Sequence, residues 1–289
     1  MSAPDATPAA APEAGAPLVV AEHLMKTFRL GHGEQLQALD DVSLTIRRGE
    51  TFGLVGESGS GKSTVSRALL GLLPLDSGSV RFDGQEVTRL GRGEMRRLRR
   101  RMQMVFQDPF AALNRRQSVA QIVAAPLEAH GVGDRATRAA RVAELLDLVG
   151  LGPAYRDRRP REMSGGQCQR VAIARALALD PDFVVLDESV SALDVSIQAQ
   201  ILNLLRDLQR RLGLTYLFIS HDLAVIRYMA QTVCVMQHGR IVEQGSRDEL
   251  FGDPRQEYTR GLMAAIPSAD PATERHRRRS AALAEGVGA

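Results

Sequence analysis

Apolar residues in this chain follow two rhythms, one of strands and one of helices. Thr51-Phe-Gly-Leu-Val55, Met102–Phe106, Phe183-Val-Val-Leu186 and Thr215-Tyr-Leu-Phe-Ile219 are short apolar runs. Such runs predict strands covered on both faces, as in a parallel sheet. Leu18–Phe28 alternates near its start and Leu39–Ile46 predicts a second early strand, with turns at Gly31-His-Gly-Glu34 and Arg47-Arg-Gly-Glu50. Ser79–Phe82 with Asp83-Gly84 predicts a short edge strand and turn. Thr232–Met236 with Arg240-Ile-Val242 predicts a hairpin around His238-Gly239. Helical spacing marks Val65–Leu73, Val171–Leu177 and Ile197–Leu212, the last ended by Gly213. Between Ser118 and Gly150 two helical runs, one with Val119, Ile122 and Val123 and one with Val142, Leu145, Leu146 and Leu148, are split by Gly131 and Gly133. The expected fold is a mixed α/β sheet with early antiparallel strands and a helical insert, which rejoins the core through Gly150–Arg161. After Ser246 the pattern weakens into a short helix, loops and a basic tail.

Composition narrows this only a little. The 289 residues suit one large domain or two modest ones. The two cysteines, Cys168 and Cys234, are far apart, which predicts neither a disulfide framework nor a zinc pattern and suits a reducing compartment. Met1–Pro17 is rich in Ala and Pro and reads as a disordered tail, not a secretory signal. No stretch approaches the roughly 18 apolar residues of a membrane helix, so work at a membrane would go through partners. The net charge is only +3, but Arg92, Arg96, Arg97, Arg99, Arg100 and Arg101 form one cluster and Arg275, Arg277, Arg278 and Arg279 another. Without interleaved aromatic residues these read as a solvated face and a basic tail, not as a base-stacking surface.

The candidate chemistry centres on Gly56-Glu57-Ser58-Gly59-Ser60-Gly61-Lys62-Ser63-Thr64, which fits the G-x-x-x-x-G-K-[ST] phosphate loop between a strand and a helix. Glycines let successive N–H groups turn toward phosphate oxygens at the positive end of the helix. Lys62 would reach the β- and γ-phosphates, and the Ser63 hydroxyl would ligate the nucleotide's magnesium. Asp187 and Glu188 end the apolar strand at Phe183–Leu186. Asp187 is placed to reach magnesium directly or through water, and Glu188 to orient or deprotonate the attacking water. His221, after the strand ending at Ser220, can bond the γ-phosphate, hold the loop bearing Glu188, or cap a helix. Gln107 also sits at a strand end, where its amide can touch magnesium or its water. Ser164-Gly165-Gly166-Gln167 begins another helix with free N–H groups and a capping hydroxyl. It reads either as a capped helix with a tight turn or as a second anion site offered to a partner subunit.

In this order the motifs resemble those of the nucleotide-binding subunits of ABC transporters, over about residues 18–245. The resemblance makes Gly56–Ser63 Walker A, Gln107 the Q-loop glutamine and Ser164–Gln167 the core of the signature motif. It also makes Asp187 the Walker B acid, Glu188 the catalytic glutamate, Ser191-Ala-Leu-Asp194 the D-loop and His221 the switch histidine. Phe28 falls where the family's A-loop aromatic stacks on adenine. The implied architecture is a RecA-like P-loop NTPase core, 18–107 and 161–245, with an antiparallel β part and a helical subdomain at 108–160. The implied ligands are ATP and Mg2+, with ATP held between two such subunits head to tail.

Phe106-Gln-Asp-Pro-Phe110, Leu113-Asn114, Val190–Gln200, Ile241–Gly245, Tyr258-Thr259 and Ile266-Pro267 look like the dipeptide/oligopeptide importer branch, which includes nickel importers. That branch adds a C-terminal extension, here 246–272, before a basic disordered tail at 273–289. The resemblance implies a peripheral ATPase on the cytoplasmic face of the inner or plasma membrane, paired with an identical or different ATPase chain. It implies two membrane permease subunits and, indirectly, an extracytoplasmic solute-binding protein, with no nucleic-acid partner. A nickel or other small-solute importer, and a soluble ABC ATPase acting on nucleic acid or ribosomes, are the alternatives. Arg115, Met163, Cys168, Ser189 and Gln256-Glu257 depart from the usual residues at their positions, and none removes a group needed for hydrolysis. Cys168 is expected to be an inert buried thiol.

Overall fold

The computed structural model describes residues 15–31, 34–191 and 193–264, the side chain of Pro109 excepted. The expectations for most of the N-terminal tail, the end of the C-terminal extension and the basic tail therefore lie outside the described residues. β1 (Pro17–Arg29) and β2 (Gln35–Arg47) pair antiparallel, then β3 (Thr51–Val55) leads through the glycine loop into α1 (Lys62–Leu69). β4 (Ser77–Phe82), the two-residue β5 (Gln85–Glu86), α2 (Arg92–Leu98) and β6 (Met102–Val105) follow. A helical stretch holds α3 (Pro109–Ala112), α4 (Val119–Ala129) and α5 (Arg135–Leu148), then α6 (Gly165–Ala176) returns to β7 (Phe183–Asp187). The chain ends its described part with α7 (Val195–Leu212), β8 (Thr215–Ile219), α8 (Leu223–Met229), the β9 (Thr232–Gln237) and β10 (Arg240–Ser246) hairpin, α9 (Arg247–Gly252) and α10 (Glu257–Ala264).

Two sheets result. An antiparallel sheet runs β2-β1-β4-β5, and a six-stranded sheet runs β10-β9-β3-β8-β7-β6, parallel except for the β10 edge. The alternation of side chains along each central strand divides the interior into two cores. Phe52, Leu54, Phe183, Val185, Leu217, Ile219, Cys234 and Met236 face one way and pack with α1 and the antiparallel sheet. Val184, Leu186, Tyr216, Phe218, Val233 and Val235 face the other way and pack under α6, α7 and α8. Both faces are covered, which is why these strands read as unbroken apolar runs. The helices begin where their caps do: Ser118, Asp134, Ser164 and Asp194 each accept the backbone N–H three residues on.

Three expectations need correction. Ser79–Phe82 is not at an edge, because β4 lies between β1 and the short β5. The first helix starts earlier and stops sooner than its apolar run, because Gly71, at φ 59°, turns the chain before Leu73. The first half of the arginine cluster lies in α2, which hydrophobic spacing did not mark, and Arg99, Arg100 and Arg101 follow its end. Arg92, Arg96, Arg97, Arg99 and Arg100 are exposed, but Arg101 is a bridge between the two sheets. Its guanidinium donates to Asp83 at 2.7 Å and to Asp182 at 2.5 Å, and lies 5.1 Å from the Phe82 ring centre. Among the described residues no helix is long and apolar enough to cross a membrane.

Candidate functional site

The glycine loop has the shape its sequence predicts, and two glycines are required by it. Gly56 (φ 149°) approaches the Met236 carbonyl so closely that a Cβ would sit 2.2 Å from the oxygen. Gly61 (φ 106°) approaches the Ala38 carbonyl, at 2.5 Å from such a Cβ. Any side chain at either position would displace backbone. Lys62 opens α1, is buried, and its Nζ donates to the carbonyls of Gly56 and Glu57, each at 2.7 Å. Burial lowers its pKa, against the opposing pull of the Glu188, Asp187 and Glu57 carboxylates. The hairpin also braces the loop, since Gly239 donates its N–H to the Ser60 carbonyl at 3.0 Å.

A cavity of about 230 Å³ opens over the start of α1. Ser58, Gly59, Gly61, Lys62, Ser63 and Thr64 line it from the loop and the start of α1, Glu188 from just beyond β7, and Phe28, Leu36 and Ala38 from the antiparallel sheet. Backbone N–H groups at a helix start favour anions there. Phe28 and Leu36 are paired residues of β1 and β2, so an apolar wall stands beside the phosphate-type cradle. Sequence reasoning found Phe28 and missed Leu36; the signal was the strand pairing across the early turn.

The acids arrive from the neighbouring strands. Asp187 ends β7, and its carboxyl pKa is raised, chiefly by burial and further by Glu188, while a hydrogen bond from Ser63 and the Arg67 and Lys62 charges pull it down. Glu188 follows with a left-handed φ of 47°. That conformation costs a non-glycine residue about 1–2 kcal/mol. It is held by the Glu188 N–H donating to Ile219 O at 3.0 Å, and by its carbonyl accepting from the Ser191 N–H and Oγ at 3.1 and 2.9 Å. Ser191 is thus a brace for Glu188 that the sequence did not reveal. Gln107 Nε2 donates to Glu188 Oε2 at 2.8 Å. His221 Nδ1 lies 3.6 Å from Glu188 Oε1, beyond hydrogen-bond length, so it is a neighbour and not yet a partner.

Ser164, Gly165, Gly166 and Gln167 do not line this cavity. They begin α6 with a reciprocal cap: Ser164 N donates to Gln167 Oε1 at 3.0 Å, and Gln167 N to Ser164 Oγ at 3.3 Å. Gln167 Nε2 donates to the Tyr155 hydroxyl at 3.0 Å, so that side chain is engaged within its own chain, while Ser164 is exposed. Gly166 is needed for packing, since a Cβ there would stand 2.4 Å from Ile197 Cγ2 on α7. Of the departing residues, Met163 is buried, and Cys168 is buried with its thiol pKa pushed up to about 11 by desolvation, as an inert thiol requires. The Ser189 hydroxyl beside Glu188 is buried without a hydrogen-bond partner.

A nucleotide fits these residues. A buried ammonium sits at the loop, and two adjacent carboxyls repel one another beside the Ser63 hydroxyl, a strain that a divalent cation relieves. Among the described residues no group of three or more His, Cys, Asp or Glu is placed to hold a metal ion.

A parallel sheet with a phosphate loop after one strand and an acidic pair after another defines a P-loop nucleotide-binding protein. The chain belongs to the ABC transporter family, whose profile matches residues 39–191. A second profile, the C-terminal region of oligopeptide/dipeptide transporters, matches residues 242–286. The oligopeptide transport ATP-binding protein OppD of Mycobacterium tuberculosis is 52% identical over 275 residues, which cover 93% of this chain and 45% of that protein. The chain thus spans about half the length of that relative. A putative peptide import ATP-binding protein of Brucella abortus is 53% identical over 258 residues, 87% of this chain and 77% of the relative. Among solved structures, the dimeric ATP-binding cassette MJ0796 bound to ADP and Pi has a TM-score of 0.72 and 31% identity, covering 80% of this chain and 99% of that one. The cbiO1 subunit of Clostridium perfringens, part of the cbiONQ transporter complex, has a TM-score of 0.73 and 30% identity, covering 83% and 92%. The RecA-like core with its antiparallel β part and helical insert is therefore the fold of these cassettes.

Proposed function

We propose that this chain is the ATP-hydrolysing subunit of an importer for di- or oligopeptides. The observation that carries the reading is that Lys62 and Glu188 line one phosphate-type cavity, with Glu188 held by a hydrogen bond from Gln107. In this reading the loop amides and Lys62 bind the phosphates of ATP, and Phe28 with Leu36 receives the base. Ser63, Asp187 and Gln107 would hold Mg2+, which supplies charge neutralisation on the phosphate oxygens. Glu188 would orient water and take its proton, positioned by Gln107 and Ser191, and His221 beside it would hydrogen-bond the γ-phosphate. After the left-handed turn at Glu188 its carboxylate rests against Gln107 and close to His221, largely out of solvent.

Ser164–Gln167 would complete the site of a second ATPase subunit, identical or different. Two facts support this: the motif does not line its own chain's cavity, and the similar MJ0796 cassette is dimeric. The division into a core at 18–107 and 161–245 and a helical subdomain at 108–160 belongs to the same reading. One of the two permease subunits would dock on this chain where Phe106 and Leu72, about half exposed, border a cavity of about 360 Å³ between β6, α4 and α6. An extracytoplasmic binding protein would supply the solute, and the chain would sit on the cytoplasmic face of the membrane. Peptide is preferred over nickel because the names of the relatives and the C-terminal profile concern peptides.

The test is capture of tagged Glu188→Gln protein from gently solubilised native membranes with ATP and magnesium. Recovery of two multi-spanning permeases, with the associated binding protein then shown to bind peptides, is the expected result. Recovery of ribosomal or repair proteins alone would overturn it in favour of a soluble nucleic-acid ATPase.

A further inference from the structure

The phosphate loop is also held from the far end of the described chain. The Glu57 backbone N–H donates to the Tyr258 hydroxyl of α10 at 3.3 Å, across 201 positions of sequence. The same planar peptide unit carries the Gly56 carbonyl on its other edge, where Lys62 Nζ donates at 2.7 Å. In a trans peptide the N–H and C=O point in opposite directions, so a contact that fixes one also aims the other. Tyr258 is itself anchored. Its ring packs on the helical core with Val242, Phe251 and Leu262, and the Glu243 carboxylate of β10 accepts the N–H groups of Arg255 and Gln256 at 2.8 and 3.1 Å, at the start of α10. A chain of contacts therefore runs from β10 through α10 to the mouth of the loop.

We propose that Tyr258 is a positioning residue for the nucleotide site: its hydroxyl orients the Gly56–Glu57 peptide so that the Gly56 carbonyl holds the Lys62 ammonium, and the C-terminal helix thereby sets nucleotide affinity. The inference rests on reading the loop as an ATP site. A hydroxyl–amide bond of ordinary strength sets the scale, about a two- to tenfold effect.

The experiment compares wild type, Tyr258→Phe and Tyr258→Ala in the full chain. It measures the MgATP dissociation constant by calorimetry, the exchange rate of the Glu57 amide without nucleotide, and Tm. Tyr258→Phe keeps the ring packing, so its Tm should match wild type. Its Kd for MgATP should rise about two- to tenfold, and Glu57 exchange should quicken by a similar factor. If Tyr258→Phe matches wild type in both affinity and exchange, and only Tyr258→Ala changes them, the residue acts through packing and the proposal fails. Wild-type protein that binds no ATP would instead sink the reading of the site, while Glu57 exchange would still decide whether the hydroxyl holds the loop.

Discussion

Gln107 and Glu188 meet by a 2.8 Å hydrogen bond because their strands run parallel in register. Val105 pairs with Leu186, and two residues further along each strand the amide reaches the carboxylate. The contact joins the loop leading into the helical stretch to the residue proposed to activate water, so a movement of that stretch would be felt at the site.

Removing either partner separates positioning from chemistry. Glu188→Gln is expected to lower ATP turnover by about 100-fold or more, the usual loss on removing a general base. ATP affinity should stay close to wild type, because Lys62 and the loop amides remain. Gln107→Ala should lower turnover by about tenfold, since it removes one hydrogen bond to a charged acceptor and leaves the acid in place. Steady-state phosphate release with parallel nucleotide titration checks both, and equal losses for the two variants would contradict the assignment.

Asp187 has its folded pKa raised, mainly by burial. Folding favours the protonated acid, so this contribution to stability is full below the unfolded carboxylate pKa and is lost as pH rises through the folded value. Where it is ionised, the half-buried carboxylate is a cost that a bound cation would relieve. Asp187→Asn should therefore stabilise the nucleotide-free chain at neutral pH by about 0.5–2 kcal/mol. The gain should shrink as the wild-type acid becomes protonated. MgATP should raise the Tm of wild type far more than that of the variant. Thermal melts from about pH 4 to about pH 8, with and without MgATP, would reveal any opposite trend.

Gly166 separates a packing requirement from a signature. A Cβ would stand 2.4 Å from Ile197 Cγ2, and a β-branched side chain on a helix has little rotamer freedom to yield. Gly166→Ala should cost about 1–3 kcal/mol. Adding Ile197→Ala should recover most of the overpacking cost, although it removes a partly buried side chain of its own. Denaturant melts of the single and double variants measure the coupling, and additive losses would mean that the glycine is there for another reason.

Much of the site was legible before the fold. The phosphate loop, the acid pair after β7 and the cap at Ser164 are each written in a few consecutive residues, because φ preference, capping and strand ends are local matters. Leu36 and Tyr258 were not legible as parts of the site, and Ser191, which the resemblance placed in the D-loop, was not legible as a brace for Glu188. Leu36 needed the pairing of β1 with β2, Ser191 the turn that folds back on Glu188, and Tyr258 the docking of α10. Arg101 looked like one more solvated arginine until β4 and β7 placed Asp83 and Asp182 on either side of it.

The amino-acid sequence by itself determined the elements, the chemistry each could offer and the division into strands buried on both faces. Periodicity and turn residues act over a few positions and survive without knowledge of the rest of the chain. Tertiary structure alone decided which of these chemistries meet. Strand order put β6 beside β7 and β4 inside its sheet, and register then set Gln107 against Glu188, 81 positions away. Such meetings depend on pairing between distant segments, where a single-residue slip would turn every side chain to the opposite face.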